Sequence, residues 1–136
     1  MKLVVDASVA IKWMINEPDS DLADQLLDGG HDFLAPELIV AEIISAAWKK
    51  RRIGSIGDAQ YDDIVLRIAD GPIAYRAMRP LASTAAALAR ALDHPVYDCF
   101  YLALAEAENV PLVTADRRLV AALGTTPLAA RVRPLR

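Results

Sequence analysis

Leu3-Val4-Val5-Asp6-Ala7-Ser8-Val9 is the stretch on which the fold turns. Three β-favouring apolar residues end at an acid, and from Ala7 to Ile15 the apolar positions follow a helical period. Pro111-Leu112-Val113-Thr114 has the same character near the other end of the chain. Ala115-Asp116 follows it, with a short helix running toward Leu123. Short extended runs alternating with helices specify an α/β domain, with a central, mostly parallel β-sheet flanked by α-helices.

The segments between these two stretches fit that plan. A helical pattern covers Asp19 to Leu27 and stops at Gly29-Gly30, and Asp32 to Ala35 reads as a short strand before Pro36. Pro36 opens the strongest helical pattern, Glu37 to Arg51, whose cationic end and the nearby Gly54 are stop signals. Asp58 is the expected N-cap of a helix carrying Tyr61, Ile64, Val65 and Ile68 on one face. A strand is expected within Ile73 to Met78, and Ser83 or Thr84 is expected to cap an alanine-rich helix ending near Leu92. Pro95 then precedes a helix from Val96 to Glu108, and Ala129 to Val132 is the expected edge strand. No linker, low-complexity tract or repeat interrupts the 136 residues, which suit one domain, residues 1–136, with one core.

Composition removes several functional classes. A chain that is 54% hydrophobic and 24% charged is no disordered segment. One cysteine, Cys99, excludes an internal disulfide and any multi-cysteine metal site. Two histidines, His31 and His94, leave little room for a histidine-rich site or a Ser-His-Asp relay. The start reaches Asp6 before a signal-peptide apolar region forms, and no apolar run approaches bilayer length, so the expected setting is the cytoplasm, with no membrane. A formal net charge of −3 argues, at face value, against a nucleic-acid partner.

Four acids bear on that last exclusion. Ligands of open α/β sheets gather at the carboxyl ends of the strands, where Asp6 and Asp116 stand. Helix capping is the competing account of both. Glu42 is harder to explain structurally, because its helical neighbours Leu38, Ile39, Ser45 and Ala46 are mostly apolar and supply no cation. Asp98 lies in the first turn of its helix, favourable to the dipole, yet the residues that follow, Cys99 to Ala105, are apolar, so the helix reads as buried on most sides. Two carboxylates about 5 Å apart repel by roughly 3 kcal/mol at an effective dielectric near 20. Four sharing one crevice therefore require protons or a cation, and hard oxygen donors select Mg²⁺ or Mn²⁺. Without those four acids the formal charge of −3 becomes +1.

Val4-Val5-Asp6-Ala7-Ser8-Val9, then Pro36-Glu37-Leu38-Ile39-Val40-Ala41-Glu42-Ile43, then Tyr97-Asp98-Cys99-Phe100-Tyr101-Leu102-Ala103-Leu104-Ala105-Glu106, then Val113-Thr114-Ala115-Asp116-Arg117-Arg118-Leu119 occur in this order. Together they resemble the PIN-domain ribonucleases, most closely the VapC-type toxins of type II toxin–antitoxin pairs, along the whole chain. The resemblance implies a PIN fold and a catalytic, metal-binding pocket made of Asp6, Glu42, Asp98 and Asp116, with Ser8 and Thr114 in support. It also implies Mg²⁺- or Mn²⁺-dependent endoribonuclease activity on an RNA substrate, a small antitoxin protein that blocks the site, and a homodimer. Leu119 departs from the family in standing where a bulky aromatic is common.

Arg117 and Arg118 sit in a helix's first turn, where cations oppose the dipole, and so are candidate substrate-binding residues for RNA phosphates. Lys49-Lys50-Arg51-Arg52 reads as a solvated helix end, and Arg131, Arg133 and Arg136 as a basic rim or a frayed tail. Trp13 and Trp48 are expected in the core or an interface, and Cys99 as a small buried hydrophobe. Two other classes compete: an aspartyl-phosphate phosphatase or phosphotransferase using Asp6 as nucleophile, and a non-catalytic PIN scaffold binding RNA or protein. The first expects an acid two residues after Asp6, where Ser8 stands, and the intact quartet weighs against the second.

Overall fold

The computed structural model describes residues 1–135; Arg136, the last residue of the expected basic tail, lies outside them. Five strands, β1 (Lys2–Val5), β2 (Asp32–Pro36), β3 (Ile73–Arg76), β4 (Leu112–Thr114) and β5 (Val132–Pro134), form one sheet in the order β3-β2-β1-β4-β5. Every pairing is parallel, so the sheet is wholly and not merely mostly so. Seven α-helices accompany it: α1 (Ala7–Met14), α2 (Ser20–Asp28), α3 (Leu38–Arg52), α4 (Asp58–Ala69), α5 (Ala82–Leu92), α6 (Val96–Glu108) and α7 (Arg117–Leu123).

Strand order sets the layers. The chain steps from β1 outward to β2 and β3, then crosses back past β1 to β4 and β5. Right-handed crossovers put α1–α4 on one face and α5–α7 on the other. The helix contacts agree: α1 packs on α2 and α3, α3 on α4, and α5 on α6, while α6 covers β1, β2 and β4. A sheet covered on both faces needs apolar strands, and Leu3, Val4, Val5, Phe33, Leu34, Ala35, Leu112 and Val113 are all buried. The crossing at β1/β4 leaves a crevice at the carboxyl end of the sheet, between the starts of α1 and α7.

Several expectations are corrected. Gly57 takes the cap position of α4, and Asp58, already inside the helix, pairs with Arg51 of α3 at 2.6 Å. Neither Ser83 nor Thr84 caps α5, because a 3-10 turn, Arg79–Leu81, runs straight into the helix and leaves no N-cap to fill. Ala129–Arg131 is a second 3-10 turn, and the edge strand begins only at Val132. The strand expected within Ile73 to Met78 is present, as Ile73–Arg76. Trp13 packs against Phe33 and donates its indole N–H to Ala23 O at 2.8 Å, whereas Trp48 stands 44% exposed under the Arg52 guanidinium and is no core residue. Cys99 is buried and unbridged.

Candidate metal centre

Asp6 leaves β1 as the N-cap of α1, accepting from the Val9 N–H at 3.3 Å. It is also only 7% exposed, which capping does not require. Ser8 Oγ and Thr114 Oγ1 each donate to one Asp6 oxygen, at 2.5 Å. Both hydroxyls in turn accept from the β4–α7 turn: Ser8 from the Ala115 N–H at 2.9 Å, Thr114 from the Asp116 N–H at 3.0 Å. The two side chains expected to support the site thus tie the ends of β1 and β4 together beneath Asp6. Asp116 caps α7, accepting from the N–H groups of Arg118 and Leu119 through one oxygen. Capping and site membership, alternatives on paper, coincide in both residues.

Glu42 and Asp98 arrive from opposite faces of the sheet. Glu42, on α3, is half-buried and accepts from the phenol of Tyr101, a residue of α6 that is 1% exposed. Asp98, in the first turn of α6, lies 2.8 Å from His94 Nε2. Asp93 ends α5 in the left-handed region (φ 50°), His94 returns its N–H to Ala89 O, and Pro95 starts α6; the corner holds the imidazole over that first turn. Sequence reasoning passed over both residues. No spacing in the sequence marks them: His94 lies before α6 begins, and Tyr101, three positions after Asp98 on the same helix, bonds not Asp98 but Glu42 on α3.

Asp6, Ser8, Glu42, Asp98, Tyr101 and Asp116 line one cleft of about 120 Å³. All four acids are therefore brought together. Arg117 and Arg118 are exposed and stand outside its lining; Arg117 borders a separate small hollow with Asp19 and Pro134. Burial, and then the charge of Asp98, pushes the Asp6 carboxyl up to about 6 against hydrogen bonds that pull it down. Burial and Asp98 raise Glu42 in the same way. The same surroundings and the bond to Glu42 lift the Tyr101 phenol far above its ordinary range, so it stays a neutral donor. Desolvated carboxylates raised by one another are what a cation relieves.

The donors suit a hard divalent ion in one particular manner. Among the described residues no group of three or more His, Cys, Asp or Glu side chains could hold a metal by itself. An ion here would take one or two carboxylates directly and reach the others through water, the habit of Mg²⁺, which keeps several waters and rarely enters an all-protein cage. Each acid has one oxygen engaged by a protein donor, and in Asp6 both are. Asp6 is for the same reason a poor nucleophile, buried and doubly hydrogen-bonded, which disfavours the aspartyl-phosphate chemistry.

A family model for the PIN domain matches residues 3–123. The chain is 30% identical over 121 residues to Ribonuclease VapC3 of Pyrobaculum aerophilum, covering 88% of this chain and 92% of that protein. It is also 30% identical over 122 residues to Ribonuclease VapC12 of Mycobacterium tuberculosis, covering 90% of this chain and 92% of that one. In fold it is similar to a toxin-antitoxin complex from Klebsiella pneumoniae, with a TM-score of 0.72, 16% identity and 98% of each chain covered. An acid-lined cleft at the crossing of an all-parallel sheet and a family match along most of the chain have one common reading: this protein belongs to the PIN-domain family.

Proposed function

We propose that the chain is an endoribonuclease, the toxin of a toxin–antitoxin pair, that hydrolyses RNA phosphodiester bonds with Mg²⁺ or Mn²⁺. The observation that carries this reading is the meeting of Asp6, Glu42, Asp98 and Asp116, from four separate elements, in one cleft. Asp6 and Asp98 would be the principal ligands of the ion, which would neutralise charge at the phosphate and lower the pKa of water. Ser8 and Thr114 fix the rotamer of Asp6, and His94 that of Asp98. Tyr101 holds one oxygen of Glu42, leaving the other to orient the attacking water and accept its proton. Asp116 completes the acidic wall, and Arg117 and Arg118, on the adjoining helix start, contact neighbouring phosphates. Attack by water in place of the ribose 2′-hydroxyl leaves a 5′-phosphate and a 3′-hydroxyl. The relatives named as VapC ribonucleases and the likeness to a toxin-antitoxin complex support a small antitoxin protein as partner; a homodimer is part of the same proposal.

Purified protein is expected to cut single-stranded RNA in Mg²⁺ or Mn²⁺, to stop in EDTA, and to lose more than about a hundredfold in rate on Asp6→Asn or Asp98→Asn. Gel analysis of product lengths and end groups measures this. Undiminished cleavage by both variants, or in EDTA, overturns the proposal.

A further inference from the structure

A second groove, of about 420 Å³, opens beside the acid cleft and shares Glu42 with it. Its floor is a stripe of α3 formed by Ala41, Ser45 and Ala46, its far end is Lys49, and Tyr97 of α6 forms its wall. Tyr97 is 60% exposed, an unusual position for a large aromatic ring one residue from a metal-site acid. Among the described residues, Lys49 is the cation of its run that makes no ion pair or ring contact. Lys50 pairs with Glu17, Arg51 with Asp58, and Arg52 lies over Trp48.

We propose that this groove binds the base of a nucleotide flanking the scissile phosphate in single-stranded RNA, stacked on Tyr97, with the adjoining backbone phosphate on Lys49. The proposal rests on the nuclease reading of the neighbouring cleft and deepens it. Protein interfaces are depleted in Lys, Glu, Ser and Ala at their centres, yet five of the seven lining residues here are of those types. An aromatic platform beside a free cation is instead how proteins hold unpaired bases without reading their edges. The charges are also in the right order. Glu42 faces the metal end, and Lys49 stands seven residues on, about 10 Å along the helix axis, where the strand leaves the acids. Small side chains between them keep the floor flat enough for a ring.

The test uses the full-length protein and a short single-stranded RNA carrying 2-aminopurine at successive positions. Quenching at one position next to the cleavage point is expected, lost in Tyr97→Ala and kept in Tyr97→Phe. In Mn²⁺, Tyr97→Ala is expected to raise KM about tenfold with kcat within about twofold, as loss of one base stack predicts. Lys49→Gln raises KM without removing the quench, a check independent of any packing change at Tyr97. Unchanged KM and no position-specific quench in the wild type overturn the proposal while leaving the nuclease standing. Quenching without cleavage overturns the nuclease reading alone. If Tyr97→Ala instead converts a dimer to monomers in sedimentation, with the RNA readouts unmoved, a second copy occupies the groove and the proposal fails.

Discussion

Asp6 shows how one side chain serves helix capping and, in the proposed mechanism, chemistry, at a cost to stability. Its carboxyl is raised from its ordinary 3.8 to about 6 in the folded chain. Between those values the folded protein holds a proton that the unfolded chain has released, so stability declines as pH rises through that window. The loss amounts to about 3 kcal/mol once pH passes 6. Glu42 shifts in the same direction. Urea unfolding in EDTA is therefore expected to give a lower midpoint at pH 7.5 than at pH 4.5. Mg²⁺ should recover much of the difference at pH 7.5 by binding the folded state alone. Asp6→Asn, inactive as a nuclease, is expected to flatten this dependence; a variant that keeps the full slope would show that Asp6 is not its source. The acids themselves were legible, because a carboxylate at a strand end or in an apolar stripe has few uses. The Tyr101 phenol was not: it reaches Glu42 from 59 positions away, and no local pattern reports a contact between α3 and α6.

At the scale of elements, α6 joins the site to the core. Cys99 and Tyr101 to Ala105 are buried in succession, because the helix lies between the sheet and α5 and has little free face. That is why its periodicity read as apolar on most sides, with Asp98 at its start as the exception. Leu102, fully buried there, has no room to be replaced without a cavity. Leu102→Ala is expected to destabilise the protein by about 3 kcal/mol in urea unfolding, within the ordinary range for buried leucines. A loss under about 1 kcal/mol would mean that α6 repacks freely, against its place beneath the site. Element existence followed from periodicity, and the ends of α2 and α3 from glycine and cationic stop signals. Starts were harder. Asp58, Ser83 and Thr84 all have capping chemistry, but Gly57 and the 3-10 turn before Ala82 decided where those helices begin, through backbone geometry that residue preference does not encode.

For the whole molecule, a formal charge of −3 is compatible with the proposed RNA substrate because of where the acids lie. Four of them line the cleft, and the proposed phosphate contacts are three cations, Arg117 and Arg118 on α7 and Lys49 in the second groove. Three phosphate contacts on a single strand correspond to a slope of about −2 in log affinity against log salt. A salt titration of RNA binding with the Asp98→Asn variant measures it, and a slope steeper than about −5 would require an extended basic surface that these residues do not form. None of the helices among the described residues is long and apolar enough to cross a membrane. By itself the sequence determined the α/β class, a mostly parallel sheet and the four acids as candidates, because period, strand-end position and desolvation cost are local properties, while the two hydroxyls followed from the family resemblance. Only the tertiary structure decided that the acids share one cleft, that His94 and Tyr101 hold two of them, that Trp48 is outside the core, and that a groove runs on from Glu42 to Lys49. Those facts depend on the crossing from β3 back to β4 and on helices packed from both faces, and distance in space between remote residues is written in no single segment.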